Sequence, residues 1–139
     1  MKFLGQLFER HRAPQAEHLE RGRQGELMVY RHLRKLGYTV VARNYRTRDG
    51  RGEVDLIGWD GQYLAFVEVK TRRTAEFGAP EAAIDSGKRQ NMVRAASDYL
   101  RRAGLEWSCA RFDTVSVVWR EPVEIELQKD AFSRRSVAG

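Results

Sequence analysis

Three strand-like runs separated by two Asp-Gly pairs constrain the fold of this 139-residue chain more than any other feature. The runs cover about residues 38–45, 53–59 and 63–71, and the pairs are Asp49-Gly50 and Asp60-Gly61. An Asp-Gly pair between two apolar runs is typical of a tight hairpin turn. The pattern therefore predicts three consecutive strands arranged as a meander.

A helix is predicted before the meander, from about residue 20 to Gly37. Apolar Val29, Leu33 and Leu36 recur at helical spacing and define one face, which should pack inward. Gly37 is a typical residue just beyond the end of a helix.

A second helix is predicted after the meander, over about residues 82–104, with an interruption near Ser86-Gly87. Strands follow at about 111–119 and 123–127. The order of one helix, three strands, one helix and two strands predicts an α/β sandwich around a mixed β-sheet. We divide the chain into an N-terminal extension, residues 1–18, an α/β domain, residues 19–128, and a basic C-terminal tail, residues 129–139.

The N-terminal extension carries a short apolar stripe, made of Phe3, Leu4, Leu7 and Phe8 at helical spacing. The sequence leaves its partner open: the stripe can dock on the domain, on a second copy of the chain in a homodimer, or on a DNA-processing partner. Charged residues 9–12 end the apolar run, which is too short for a signal-peptide core or a membrane span. A single cysteine, Cys109, suits a reducing compartment. We therefore expect a cytoplasmic protein with no membrane segment.

The charge of the chain is strongly positive, with a net charge of +6 and a pI of about 9.8. Twenty arginines accompany five lysines, and the planar guanidinium suits phosphate oxygens. Nucleic acid, most simply DNA, is the partner that this bias favours, although a GC-rich genome also enriches arginine. Basic residues flanking the meander are predicted to face DNA: Arg43, Arg46, Arg48, Arg51, Arg72, Arg73, Lys88 and Arg89.

Two carboxylates and a lysine interrupt the apolar runs of the second and third strands. Burying a charge is costly unless a partner or a metal compensates it, so Asp55, Glu68 and Lys70 indicate a site. Alternation along a strand puts Glu68 and Lys70 on one face, and a hairpin closed at Asp60-Gly61 brings Asp55 level with Glu68. Two carboxylates on adjacent strands can chelate one hard cation, here Mg²⁺ or Mn²⁺.

Such a cation favours cleavage of a phosphodiester, in which Lys70 would orient a water or stabilise developing charge. Glu26 lies on the inward face of the first helix and either pairs with an arginine or reaches the metal. Less specific interpretations remain: Glu68 and Lys70 as an exposed ion pair worth ~1 kcal/mol or less, and Glu53 as a partner of Arg51. Asp113 is either a paired structural acid or a residue near the site.

Together these residues resemble the PD-(D/E)xK nuclease superfamily, and more closely the YraN-like family of bacterial proteins, over about residues 22–127. The matching segments are Gly25-Glu26, Gly37-Tyr38, Arg43-Asn44, Gly52 to Ile57, Phe66 to Arg72, Phe77 to Pro80, Lys88 and Arg111 to Asp113. Val54 stands where the superfamily name has proline. The resemblance implies a restriction-endonuclease-like α/β/α sandwich similar to Holliday-junction resolvases.

The resemblance also assigns roles. It implies catalytic Asp55, Glu68, Lys70 and Glu26, with Asp55, Glu68 and Glu26 as metal ligands. The expected function is a divalent-metal-dependent endonuclease acting on DNA, with branched or repair intermediates as candidate substrates. The alternative is a non-catalytic nucleic-acid-binding module that keeps the nuclease fold.

Overall fold

The computed structural model describes residues 20–72 and 79–137, with side chains of the second range from residue 86 onward. The N-terminal stripe and Arg73 lie outside the described residues. The elements, in chain order, are α1 (residues 20–35), β1 (Thr39–Arg46), β2 (Glu53–Asp60), β3 (Tyr63–Arg72), α2 (Ala79–Ala103), a 3-10 turn (Trp107–Cys109), β4 (Ala110–Val118), β5 (Glu124–Phe132) and α3 (Arg134–Val137).

The five strands form one mixed sheet in the order β1-β2-β3-β4-β5. The first three pair antiparallel as the predicted meander, and Gly50 and Gly61 occupy the two turns with φ of +75° and +60°. These left-handed backbone conformations favour glycine. β3 and β4 are parallel, so their connection must cross over the sheet, and α2 makes that crossover.

One helix covers each face of the sheet, which gives the predicted α/β/α sandwich. On one face Val29 and Leu33 of α1 pack with strand residues including Val67. On the other, Met92 and Leu100 of α2 pack with the aromatic side chains of β3, β4 and β5. Because both faces are covered, β3 reads as a nearly continuous apolar run.

The helix boundaries differ from the predictions in two places. Leu36 is 51% exposed, because α1 ends at residue 35 and Leu36 lies in the turn before Gly37, whose φ is +96°. The predicted interruption near Ser86-Gly87 is wrong, since α2 runs continuously across it. A glycine inside a helix costs only ~1 kcal/mol, and burial of the later turns of α2 offsets that cost. No helix in the described part of the chain has an apolar stretch sufficient to cross a bilayer.

The last strand is longer than predicted. β5 continues to Phe132, whose ring stacks on Phe112 at a centroid distance of 4.8 Å, and α3 follows it. Residues that the sequence placed in a basic tail therefore belong to the sheet. The polar run from Gln128 to Asp130 conceals this continuation, and residues 129–131 form a bulge between the paired residues Thr114↔Gln128 and Phe112↔Phe132.

Asp113 closes that bulge and has a structural role. Its carboxylate is completely buried and accepts four hydrogen bonds at 2.8–3.0 Å. The donors are Arg111 Nε and Nη2, the Tyr38 hydroxyl and the backbone N–H of Asp130, whose φ is +54°. Of the two interpretations left open by the sequence, the geometry supports the paired structural acid.

Candidate metal and nucleic-acid site

Regular pairing between β2 and β3 ends at the level of Asp55. The last paired residues are Leu56↔Val67, and beyond them Asp55 Oδ2 accepts the backbone N–H of Val69 at 2.7 Å. On the other side of β2, Asn44 lies level with Asp55 and has a φ of +51°. The alternation of faces along β2 is interrupted at Asp55. Val54 and Leu56 are two residues apart and would share a face in a regular strand, but they pack into different core layers. Asp55 thus has its carboxylate at the point where the sheet opens.

The carboxylates of Asp55 and Glu68, called the acid pair below, face a common cation. Lys88 Nζ on α2 lies 3.8 Å from Asp55 Oδ2 and 3.7 Å from Glu68 Oε1. The Glu68 side chain is 1% exposed and that of Asp55 10%, whereas that of Lys88 is 47% exposed. Lys88 therefore brings a positive charge that solvent can reach to two poorly solvated negative charges on neighbouring strands.

Electrostatics around the acid pair differ from those of surface carboxylates. Burial raises the pKa of Asp55, while the Lys88 ammonium and the Val69 N–H act in the opposite direction. Burial also raises the pKa of Glu26, and the negative charge of Asp55 raises it further. Glu26 on α1 is thus near enough to Asp55 and Lys88 for their charges to influence it.

A glycine allows α1 to approach the end of β3. A Cβ atom added at Gly25 would lie 2.7 Å from Thr71 Oγ1, closer than real side-chain contacts allow. Glu26, the next residue, is therefore held beside the end of β3, where half-buried Lys70 follows Glu68 on the same face of the strand. Glu53 is exposed and pairs with Arg46 at 3.8 Å rather than with Arg51.

The acid pair has the donor chemistry of a hard divalent cation. Among the described side chains, those of residues 20–72 and 86–137, no three His, Cys, Asp or Glu groups come close enough together to hold a metal by themselves. Mg²⁺ is commonly bound by one or two carboxylates, with waters and substrate phosphates as its remaining ligands. Asp55 and Glu68 supply those carboxylates, and the ammonium between them marks a position where a positive charge is stabilised.

A small pocket beside the acid pair and a larger groove are both lined by residues of α2. The pocket has a volume of about 130 Å³ and is lined by Glu53, Val54, Asp55, Lys88, Asn91 and Met92. The groove, called the basic groove below, has a volume of about 390 Å³ and is lined by Thr47, Arg48, Asp49, Arg94, Ser97, Asp98, Arg101 and Arg102. Arg94 joins the two, because its Nη1 donates to Asn91 Oδ1 at 3.0 Å.

Gly52 permits the close contact that builds the basic groove. A Cβ atom there would lie 2.6 Å from Thr47 Cγ2 and 2.8 Å from the backbone nitrogen of Ala95. The β1–β2 turn can therefore lie directly against α2. Within α2, Asp98 pairs with Arg101 at 2.9 Å and with Arg102 at 3.1 Å, and it also accepts a hydrogen bond from the Tyr45 hydroxyl of β1.

The basic residues predicted to face DNA lie in different parts of the structure. Arg48 lines the basic groove, Lys88 lies at the acid pair, and Arg51 is exposed on the β1–β2 turn. Arg43 Cζ lies 4.7 Å from the ring centroid of Tyr30. Half-buried Arg89 stacks in the same way on Phe132, with its Cζ 4.8 Å from the ring centroid. Arg46 pairs with Glu53, and Arg72 is half-buried at the end of β3.

Sequence reasoning missed the α2 side of the groove. Asn91, Arg94, Asp98, Arg101 and Arg102 recur three or four residues apart after Lys88, which places them on one helical face. That spacing was readable from the sequence, but only the position of the β1–β2 turn shows that this face borders a cavity.

A mixed five-stranded sheet between two helices, with an acid pair where β2 and β3 separate, defines a restriction-endonuclease-like α/β protein. The profile of "Uncharacterised protein family UPF0102" matches residues 25–117, and the chain belongs to this family. This confirms the YraN-like resemblance.

Similar relatives come from several bacteria. A UPF0102 protein of Solibacter usitatus is 54% identical over 111 residues, covering 80% of this chain and 84% of the relative. One from Koribacter versatilis is 49% identical over 117 residues, covering 84% of this chain and 81% of the relative. One from Desulfosudis oleivorans is 46% identical over 117 residues, covering 84% of this chain and 93% of the relative.

Proposed function

We propose that this protein is a divalent-metal-dependent endonuclease that acts on DNA. The observation that carries the proposal is the acid pair, in which two buried carboxylates from neighbouring strands lie 3.8 and 3.7 Å from one cation. A phosphodiester is negatively charged and resists attack, so its cleavage requires neutralised charge and an activated water. Oxygen ligands at the mouth of a pocket are suited to hold the ion that meets both requirements.

Each residue then has a distinct task. Asp55 and Glu68 would hold the cation, and the Glu26 side chain would move in from α1 as a third ligand when the ion binds, since the three carboxylates do not lie together without it. When bound, Mg²⁺ or Mn²⁺ supplies positive charge at the phosphoryl group and lowers the pKa of a water. Lys70, on the same face of β3 as Glu68, would hold an ammonium at the reacting phosphate.

Recognition of DNA is supported by the basic groove and its connection to the acid pair. Four arginines line it against two aspartates, and Arg94 contacts Asn91 in the adjoining pocket. Arginine contacts to phosphate fix the position of a nucleic acid without reading its sequence. A strand lying in the groove would therefore have its backbone led along α2 towards the acid pair.

The test compares the wild type with Asp55→Asn on linear, flapped and four-way DNA, with and without Mg²⁺ or Mn²⁺. The wild type should cut only with metal, and Asp55→Asn should lose ~10²-fold or more of that rate. An asparagine oxygen can still accept the Val69 N–H, so the variant should fold. Without metal it should bind DNA at least as tightly, because a negative charge is gone. A wild type that binds DNA but never cuts it would support the non-catalytic binding module instead.

A second prediction concerns the basic groove. Replacing Arg94 and Arg101 together with alanine should weaken DNA binding several-fold near 0.15 M salt, because two phosphate contacts are lost. The slope of log affinity against log salt should fall by about 1 for each lost contact. Fluorescence anisotropy across a salt series measures both quantities.

The matched control is Arg31→Ala, which removes an exposed arginine from α1 on the opposite face of the sheet. It should leave the affinity and the slope close to those of the wild type. Because the groove variant removes two arginines and the control one, a loss of binding free energy only twice that of Arg31→Ala would mean that binding follows net charge rather than the groove.

A further inference from the structure

Lys88 is the part of the site whose position the proposed function leaves unexplained. A lysine that only contacted DNA would extend into solvent, yet its ammonium lies between two carboxylates of which one is almost fully buried. Both Nζ–O distances, 3.8 and 3.7 Å, exceed the ~2.7–3.2 Å of a good hydrogen bond. The contact is therefore an electrostatic one with room to change.

We infer that Lys88 is an internal counter-ion of the acid pair, occupying the cation position in the metal-free protein and leaving it when a divalent ion binds. The inference rests on the proposed function, in that it assumes the acid pair to be the metal site. Lys88 acts through the carboxylates and is a positioning residue, since it holds them together until the metal arrives.

The geometry supports an exchange rather than joint occupation. Mg²⁺ binds carboxylate oxygens at about 2.0–2.1 Å, so an ion held by both Asp55 and Glu68 would lie within a few ångströms of the Lys88 ammonium. A divalent ion and an ammonium repel strongly at such a separation. The Lys88 side chain is 47% exposed at the edge of α2, so it can swing into water with little loss of packing, whereas the carboxylates cannot.

The inference predicts opposite effects of Lys88→Met with and without metal. In EDTA the variant should unfold at a lower temperature than the wild type, since two poorly solvated negative charges lose a nearby ammonium. With metal the competitor is gone, so Mn²⁺ should bind tenfold or more tightly. Mn²⁺ should also raise the unfolding temperature of the variant by more than that of the wild type.

The measurements are isothermal titration with Mn²⁺ and thermal unfolding in EDTA or Mn²⁺, without DNA. Lys35→Met is the matched control, because it makes the same substitution at an exposed lysine. Lys35 is the last residue of α1, on the opposite face of the sheet from α2. It should change neither quantity. Mn²⁺ affinity that is unchanged or weaker in Lys88→Met would overturn the inference.

A double variant keeps the test decisive if Lys88→Met does not fold in EDTA. Asp55→Asn removes one of the two charges that Lys88 compensates, so Asp55→Asn/Lys88→Met should be more stable in EDTA than Lys88→Met alone. A double variant no more stable than Lys88→Met would contradict the counter-ion role.

These outcomes are separate from those that test the nuclease. If Mn²⁺ displaces Lys88 but the protein never cuts DNA, the endonuclease proposal is contradicted and the exchange of Lys88 for the metal is supported. If the protein cuts DNA but Lys88→Met and the wild type bind Mn²⁺ with the same affinity, the endonuclease proposal is supported and the exchange is contradicted.

Discussion

Lys70→Ala should abolish metal-dependent cleavage while leaving DNA affinity nearly unchanged. The loss of a positioned charge at a reacting group typically reduces the rate by a factor of ~10² to 10³. Lys70 is one of 25 basic residues, so its share of the total attraction to phosphate is small. Single-turnover cleavage and equilibrium binding, measured on the same DNA, separate the two effects.

Two further variants sharpen this prediction. Lys70→Arg should not restore the rate, because a planar guanidinium differs in shape from an ammonium and holds its proton more firmly. Lys35→Ala removes an exposed lysine at the C-terminal end of α1 and should cut at the wild-type rate. A Lys70→Ala protein that cuts normally, or one whose loss of rate equals its loss of binding, would remove Lys70 from the reaction.

Asp113→Ala should be among the most destabilising single substitutions, at about 3–5 kcal/mol of unfolding free energy. It removes the acceptor of four hydrogen bonds from a fully buried position. Among the described residues Arg111, with its side chain 11% exposed, would keep Asp60 alone as an acidic partner, at 2.8 Å. The Asp130 N–H would also lose the acceptor that closes the β5 bulge. Urea unfolding followed by circular dichroism measures the loss.

Glu124→Ala is the control for this prediction, since Glu124 pairs with Arg120 at the surface of the same sheet. Exposed pairs contribute ~1 kcal/mol or less. Tyr38→Phe provides a milder variant, because it deletes one hydroxyl of the buried network and should cost about 0.5–1.5 kcal/mol. If Asp113→Ala costs no more than Glu124→Ala, the network does not stabilise the fold as described.

The meander and the layer order were predictable because they depend on local signals. Asp-Gly turns act over four residues, and the apolar periods of α1 and of the strands reflect which faces are covered. The end of β5 was not predictable in the same way. Its bulge is stabilised by Asp113 on another strand, and no local feature of Gln128 to Asp130 indicates that contact.

The sequence alone determined the kind of residues at the site and their strands, because a charge in an apolar run must be compensated wherever the chain folds. Only the tertiary structure decided what compensates them. Lys88 lies twenty residues after Glu68 in the chain and reaches the acid pair because α2 crosses back over the sheet. Asp55 is in place because β2 leaves its regular pairing there. Hairpin spacing predicted that Asp55 lies level with Glu68, but the Lys88 contact and the Asp55–Val69 hydrogen bond depend on the tertiary fold, and no local pattern indicates them.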